Sequence, residues 1–344
     1  MQLSHKNNIV IASAGGRKTT ILVEGALSDR DRKVLITTYT NENVSQITDF
    51  IISKNGCIPN NIVVVSWFSF LLRDGAKPYQ NFILKDRKIQ SIDFINQPNQ
   101  YTKKVYPQYY VNQADNMYRD RVSDFICSCN VKSKGLVISR LEKIYDHIYV
   151  DEMQDMSGWD QDFLELLIDS SIPVTLVGDP RQSTYQTNNS QKNKATKGIN
   201  VTEWIDSMVK KKKCCVEERA ECYRCNQEIC DFADKLYPSL SKTLSMNKDL
   251  TGHDGIFLIE EKDVLEYAKE YNPKVLRWSR AVDTMGLPAI NIGVTKGRTY
   301  DRVLIFTTNP MKAYLKSNDP KKAGDLSKFY VAITRARYSV AFVI

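Results

Sequence analysis

Residues 8–27 constrain the fold more than any other stretch. A short apolar run, Asn8-Ile-Val-Ile-Ala-Ser13, enters a turn holding Gly15 and Gly16 and leaves in a helical pattern, Ile21-Leu-Val-Glu-Gly-Ala-Leu27. A continuous apolar run of this length suits a strand covered on both faces, so the unit reads as strand, loop, helix. The rhythm recurs, with strands expected at 33–39 and 61–66 and a helix at 42–52 between them. It resumes at 147–151 and 172–178. Alternating strands and helices predict an α/β fold with a parallel sheet packed by helices on both sides.

The pattern dissolves at about 75–134, where Pro78, Pro98 and Pro107 stand among tyrosines, lysines and arginines. This stretch reads as an insertion, mostly helical towards its end. Residues 186–198 are polar, basic and low in complexity, as expected of a mobile loop. A second α/β series follows, with a helix ending in Lys210-Lys-Lys-Lys213 and strands near 255–259, 274–278, 289–294, 302–306 and 339–343. The expected organisation is a first domain over 1–185, a loop over 186–198 and a second domain over 199–344.

A chain of 344 residues can bury its own core without disulfides or structural metal. No apolar run is long enough for a membrane span, and the first residues read as no signal peptide. The eight cysteines are therefore expected as reduced thiols in the cytoplasm, or in a host cell's cytoplasm were the chain viral. Cys214, Cys215, Cys222 and Cys225 also offer a four-thiolate zinc alternative. The net charge of +8 permits a polyanionic partner without demonstrating one.

Two segments carry chemistry. In Ala12-Ser13-Ala14-Gly15-Gly16-Arg17-Lys18-Thr19, followed by Thr20, a loop between strand and helix can present backbone N–H groups to phosphate. Lys18 would reach the outer phosphates and the Thr19 hydroxyl would bind Mg²⁺. In His147-Ile-Tyr-Val-Asp-Glu-Met-Gln-Asp155, a buried strand ends in two acids. Asp151 is placed to hold Mg²⁺ and Glu152 to activate an attacking water.

These segments and five others stand in the order of a superfamily 1 helicase of the UvrD/Rep type, which the chain resembles. Thr37-Thr-Tyr-Thr-Asn41, Asp151-Glu-Met-Gln-Asp155, Val177-Gly-Asp-Pro-Arg-Gln-Ser-Thr-Tyr185, Glu221-Cys-Tyr-Arg224, Thr295-Lys-Gly-Arg-Thr-Tyr-Asp301 and Tyr330-Val-Ala-Ile-Thr-Arg-Ala-Arg337 carry the resemblance. It implies two RecA-like P-loop NTPase domains with parallel sheets, the insertion lying in the first. It further implies ATP and Mg²⁺ as cofactors. By resemblance, Gln182 senses the terminal phosphate, Arg224 and Arg335 clamp it, and Tyr223 stacks on adenine. Thr40, Asn41, Trp67, Phe68 and Tyr185 are the implied contacts to single-stranded DNA, with Trp67 and Phe68 equally readable as core. The sequence does not separate DNA from RNA.

Several residues depart from the family pattern. Arg17 replaces the glycine before Lys18, Thr299 stands in place of a ribose-contacting glutamate, and only Met1–Val10 precede the phosphate loop, so the usual glutamine motif is missing. The large accessory subdomain of the second motor is absent between 278 and 289. The resemblance thus implies an ATP-dependent, 3′-to-5′ single-strand translocase or helicase, of the kind used in DNA repair and replication, with a protein partner that activates unwinding. The alternative is a nucleotide-binding scaffold whose hydrolysis Arg17 impairs.

Overall fold

The computed structural model describes residues 6–344; readings made of residues 1–5, including the absence of a leader, lie outside the described residues. The chain divides into two compact units. One gathers the chain up to Val10, Thr19–Pro180 and Tyr185–Glu217; the other gathers Ile11–Lys18, Arg181–Thr184 and Glu218–Ile344.

In chain order the first series is β1 (Asn8–Ala12), α1 (Lys18–Ser28), β2 (Val34–Thr38), α2 (Asn41–Asn55), β3 (Ile62–Ser66), the single turns α3 (Trp67–Phe70) and α4 (Asn81–Leu84), β4 (Ile92–Asp93), β5 (Met117–Tyr118), α5 (Val122–Lys132), α6 (Leu136–Ile144), β6 (His147–Val150), α7 (Trp159–Asp169), β7 (Val174–Gly178), α8 (Val201–Lys210) and β8 (Cys215–Arg219). The sheet runs β3-β2-β6-β7-β1-β8. Its β2–β3, β2–β6 and β6–β7 ladders are parallel. Every residue of β2 is buried, as the unbroken apolar run predicts for a strand covered on both faces. Leu22, Val23 and Ala26 of α1 and Ile47 and Ile51 of α2 pack on Val34, Ile36, Tyr149 and Val177. Gly25 lets α1 come close to β6, since a Cβ there would stand 2.7 Å from the Tyr149 hydroxyl. Helix α2 is capped at both ends. The Thr40 Oγ1 accepts the Asn43 N–H, and left-handed Gly56 returns its N–H to the Ile52 carbonyl.

The stretch expected as an insertion carries the small parallel β4–β5 ladder and ends in α5, with α6 following it. Much of α5 is buried, Phe125 and Ile126 completely. The polar segment after Tyr185 begins with Thr187 and Asn188 fully buried. Thr187 donates its N–H to the Asp155 carbonyl, and the Asn188 side chain donates to the Asp120 carbonyl.

The second series is β9 (Glu221–Cys222), α9 (Gln227–Asp234), β10 (Leu244–Ser245), β11 (Gly255–Ile259), α10 (Val264–Tyr271), β12 (Lys274–Arg277), β13 (Ala289–Asn291), β14 (Tyr300–Phe306), α11 (Asn309–Ser317), α12 (Leu326–Ile333) and β15 (Ala336–Val343). Its sheet, β11-β15-β14-β12-β13, is parallel at every ladder. Val264 and Tyr267 of α10 cover Val275, Leu304, Phe306, Ala341 and Val343. Both units are thus α/β layers built on parallel strands, at positions close to those the apolar runs mark. No helix among the described residues is long and apolar enough to cross a membrane.

Candidate nucleotide site and nucleic-acid cleft

The phosphate loop lies in the second unit with the segment 218–224. Gly15 and Arg17 are both left-handed, with φ of 77° and 56°, on either side of Gly16. The Gly16 N–H turns back to the Ser13 carbonyl at 2.9 Å. Such alternation makes a concave run of backbone donors suited to an anion. Lys18 opens α1 and donates from Nζ to the Ala12 and Ser13 carbonyls, each at 3.2 Å. Thr19 and Thr20 follow in the first turn of that helix, half-buried.

The loop is stitched to its neighbour. The Tyr223 N–H donates to the Gly15 carbonyl at 3.0 Å, and the Ser13 Oγ to the Glu221 carbonyl at 3.2 Å. Gly15 has no room for a side chain, as a Cβ would lie 2.7 Å from the Arg224 Cβ and 2.9 Å from the Cys222 Sγ. The Ala14 N–H reaches the Tyr330 hydroxyl at 3.5 Å. Tyr223 is half-exposed beside the loop, with the Arg17 guanidinium carbon 3.6 Å from its ring centroid.

Two arginines converge on residue 334. Arg224 Nη1 donates to the Thr334 carbonyl at 2.9 Å. Arg335 follows it in sequence and is almost completely buried. Arg335 donates to the Val331, Thr295 and Arg298 carbonyls, and its Nη2 reaches the Gln182 Oε1 at 3.3 Å. The turn that ends α12 and the turn before β14 hold this guanidinium in place. The second unit therefore brings together the loop residues Ala12 to Lys18, Gln182, Tyr223, Arg224 and Arg335.

In the first unit, β6 delivers the acidic pair. The Asp151 N–H bonds the Thr37 carbonyl at 2.8 Å, and the Thr38 hydroxyl donates to the Asp151 Oδ2 at 3.4 Å. Glu152 takes a left-handed backbone, φ 55°. Such a conformation costs a non-glycine residue about 1–2 kcal/mol and is typically retained where the site requires it. Gln154 bridges onward, donating to the Glu152 Oε2 at 2.6 Å and accepting the Asp179 N–H at 3.0 Å. Gly178 makes that bridge possible, since a Cβ would stand 2.4 Å from the Gln154 Oε1. The Asp151 carboxylate and the Thr19 hydroxyl are hard oxygen donors, the chemistry Mg²⁺ prefers.

A cleft of about 470 Å³ opens in the same unit, lined by Tyr39, Thr40, Asn41, Ser66, Phe68 and Phe94 among others. Three of the expected strand contacts, Thr40, Asn41 and Phe68, meet there. A row of rings runs along it and extends beyond its lining to Tyr185. Tyr185 lies 5.7 Å from Tyr39, Tyr39 lies 6.1 Å from Phe68, and Phe94 stands edge-on to Phe68 at 5.1 Å. Trp67 turns the other way, fully buried against Phe70 and Phe163. The helical turn that follows Ser66 sends consecutive side chains to different faces, so of this pair only Phe68 reaches the cleft. Tyr39 and Phe94 were not among the residues marked in the sequence. Phe94 is half-exposed on the irregular stretch after β4, where no periodicity points to it.

All eight cysteines are free thiols. Cys222, Cys225 and Cys230 cluster in the second unit, and hydrogen bonds from Cys225 and Cys230 pull the Cys222 thiol down while raising the donors. Among the described residues, no group of three or more His, Cys, Asp or Glu is arranged to hold a metal ion. Buried Asp160 accepts from Ser123, and burial pushes its carboxyl up to about 6.

Residues 72–197 match the family model of the UvrD/REP helicase N-terminal domain. Similar solved structures include the PRRSV helicase, at 14% identity and a TM-score of 0.48, covering 98% of this chain and 52% of that one. Arterivirus nonstructural protein 10, a helicase, is similar at 15% identity and a TM-score of 0.49, covering 98% and 59%. A structure of that arterivirus helicase with DNA gives 13% and 0.48, covering 98% and 61%. The chain thus spans between half and two thirds of these proteins. No curated protein matches it.

Proposed function

We propose that this chain, whose residues 72–197 match the UvrD/REP helicase N-terminal domain, is a UvrD-like superfamily 1 helicase that hydrolyses ATP to move 3′-to-5′ along single-stranded DNA. The observation that carries the reading is the assembly in one compact unit of the anion-binding loop, Gln182 and the two arginines Arg224 and Arg335. Two guanidinium groups beside a phosphate-sensing glutamine suit the charge that develops on a transferring phosphoryl group.

The roles divide by chemistry. Backbone N–H groups of Gly15 and Arg17, with Lys18, cradle the phosphates, and Tyr223 supports the base. Asp151 and Thr19 would hold Mg²⁺, which supplies charge neutralisation between the phosphates when bound. Glu152, oriented by Gln154, takes the proton of the attacking water. Because Gln154 also holds the Asp179 N–H, a change at the phosphate end of β6 passes to the segment that ends in Tyr185. Tyr185, Tyr39 and Phe94, backed by buried Phe68, give the single strand a stacking track, which tolerates any base. We extend the reading to an activating protein partner and to work in repair or replication.

A second reading, a nucleotide-binding scaffold with weak turnover, is favoured by the position of Arg17 on Tyr223. ATP turnover with and without single-stranded DNA separates the two. DNA-stimulated turnover that Glu152→Gln abolishes supports the motor. Equal inertness of wild type and Glu152→Gln, both still binding ATP, supports the scaffold.

A further inference from the structure

Arg17 departs from the family pattern in residue type but not in backbone. Its φ of 56° is a left-handed value that glycine adopts freely and that costs an arginine about 1–2 kcal/mol. Its side chain leaves the loop and settles on Tyr223, the guanidinium carbon 3.6 Å from the ring centroid. Both side chains are substantially exposed, yet their backbones are fixed to each other. Tyr223 hangs on the Gly15 carbonyl, Ser13 is bonded to Glu221, and the close approach of Gly15 to Arg224 leaves the two segments in direct contact. The stack is therefore built into the meeting of loop and strand.

That spacing decides what the ring can accept. A base held between the guanidinium and the ring would need about 7 Å, twice the about 3.5 Å of a carbon contact. At 3.6 Å that face of Tyr223 is already covered. We propose that Arg17 is a specificity-determining residue of the base site: it caps the ring on which the nucleobase stacks, so that a nucleotide must displace it to bind. The proposal rests on the reading of Tyr223 as the base platform. It makes nucleotide capture a competition between one cation and one base for the same aromatic face. A ligand with phosphates and no base does not enter that competition.

The test uses the full chain and measures equilibrium binding of ATP and of inorganic tripolyphosphate, each with Mg²⁺. Arg17→Gly restores the residue that suits the backbone, and Arg17→Gln keeps a side chain while removing the cation. Both are expected to bind ATP about fivefold more tightly than wild type, the equilibrium worth of an exposed cation–π contact. Tripolyphosphate binding should not tighten in either. In a Tyr223→Ala background the gain from Arg17→Gly should vanish. ATP binding that is unchanged or weaker in both Arg17 variants overturns the capping role, as does a gain shared equally by tripolyphosphate. If ATP binds none of the proteins, wild type included, the nucleotide-site reading itself fails and the capping role with it. Thermal melting of each variant confirms that the folded protein is being compared.

Discussion

Arg335 Nη2 donates to the Gln182 side-chain oxygen at 3.3 Å while the same guanidinium is held by the backbone carbonyls of Val331, Thr295 and Arg298. A planar, multiply donating group is needed to meet acceptors in so many directions, and an ammonium cannot reproduce it. Arg335→Lys is expected to reduce DNA-stimulated ATP turnover by about 1,000-fold, the usual worth of such an arginine in phosphoryl transfer. Single-turnover hydrolysis checks this. On the proposed motor reading, ATP affinity should fall much less than turnover, since a group that acts on charge developing during the reaction contributes little to ground-state binding.

Gly15 is left-handed and pressed against Arg224 and Cys222. Gly15→Ala adds a methyl where the nearest atom is a Cβ next to backbone rather than the tip of a flexible chain. We expect loss of ATP binding and destabilisation of about 2–3 kcal/mol, combining the left-handed penalty with overpacking. Denaturant melts and ATP titration of the same preparation report both.

Phe94 stands on the surface edge-on to Phe68. Removing a stacking ring costs about 1–3 kcal/mol per base, so Phe94→Ala should weaken single-strand binding about 5- to 150-fold. Fluorescence anisotropy with a labelled oligonucleotide measures it. The salt dependence of binding should stay at its wild-type value, since no charge is lost, and melting temperature should fall only slightly, by the worth of the edge-on contact with Phe68.

His147 stacks on Tyr149 and bonds Asp29 and Thr175. Burial lowers its pKa, with the Asp29 hydrogen bond opposing the shift. The unfolded chain, with an ordinary histidine near 6.5, therefore takes up the proton first as pH falls. This contribution to stability is complete above that value and is lost as pH drops through it towards the folded value. Asp160 titrates in the opposite sense, its raised carboxyl favouring the fold at low pH. The difference between wild type and His147→Gln isolates the histidine: thermal melts from pH 7.5 to 5.5 should show a stability gap that changes across this range in the wild type's disfavour at low pH.

How much was legible depended on how local the signal is. Most strands of the two sheets show as apolar runs, and β2 and β6, buried along nearly their whole length, carry that signal plainly. The loop and the acidic pair show because their chemistry sits in consecutive residues. The short strand β8, Cys-Val-Glu-Glu-Arg, was missed, since it mixes partly buried residues with exposed charges and reads as a loop. The opposite fates of Trp67 and Phe68 depend on how one turn of helix is rotated, which neighbouring residues in sequence cannot reveal. The cleft's reliance on Phe94 comes from a contact between distant segments, with no local pattern to mark it.

The bonds that join residues 13–15 to residues 221–223 also have a mechanical meaning. A strand-to-helix loop hinged only at its own ends could flutter without disturbing anything else. This one is sewn along its length, so any tug on Tyr223 or Arg224 travels straight into the cradle. The grip on a ligand and the posture of the residues that judge it cannot be set independently.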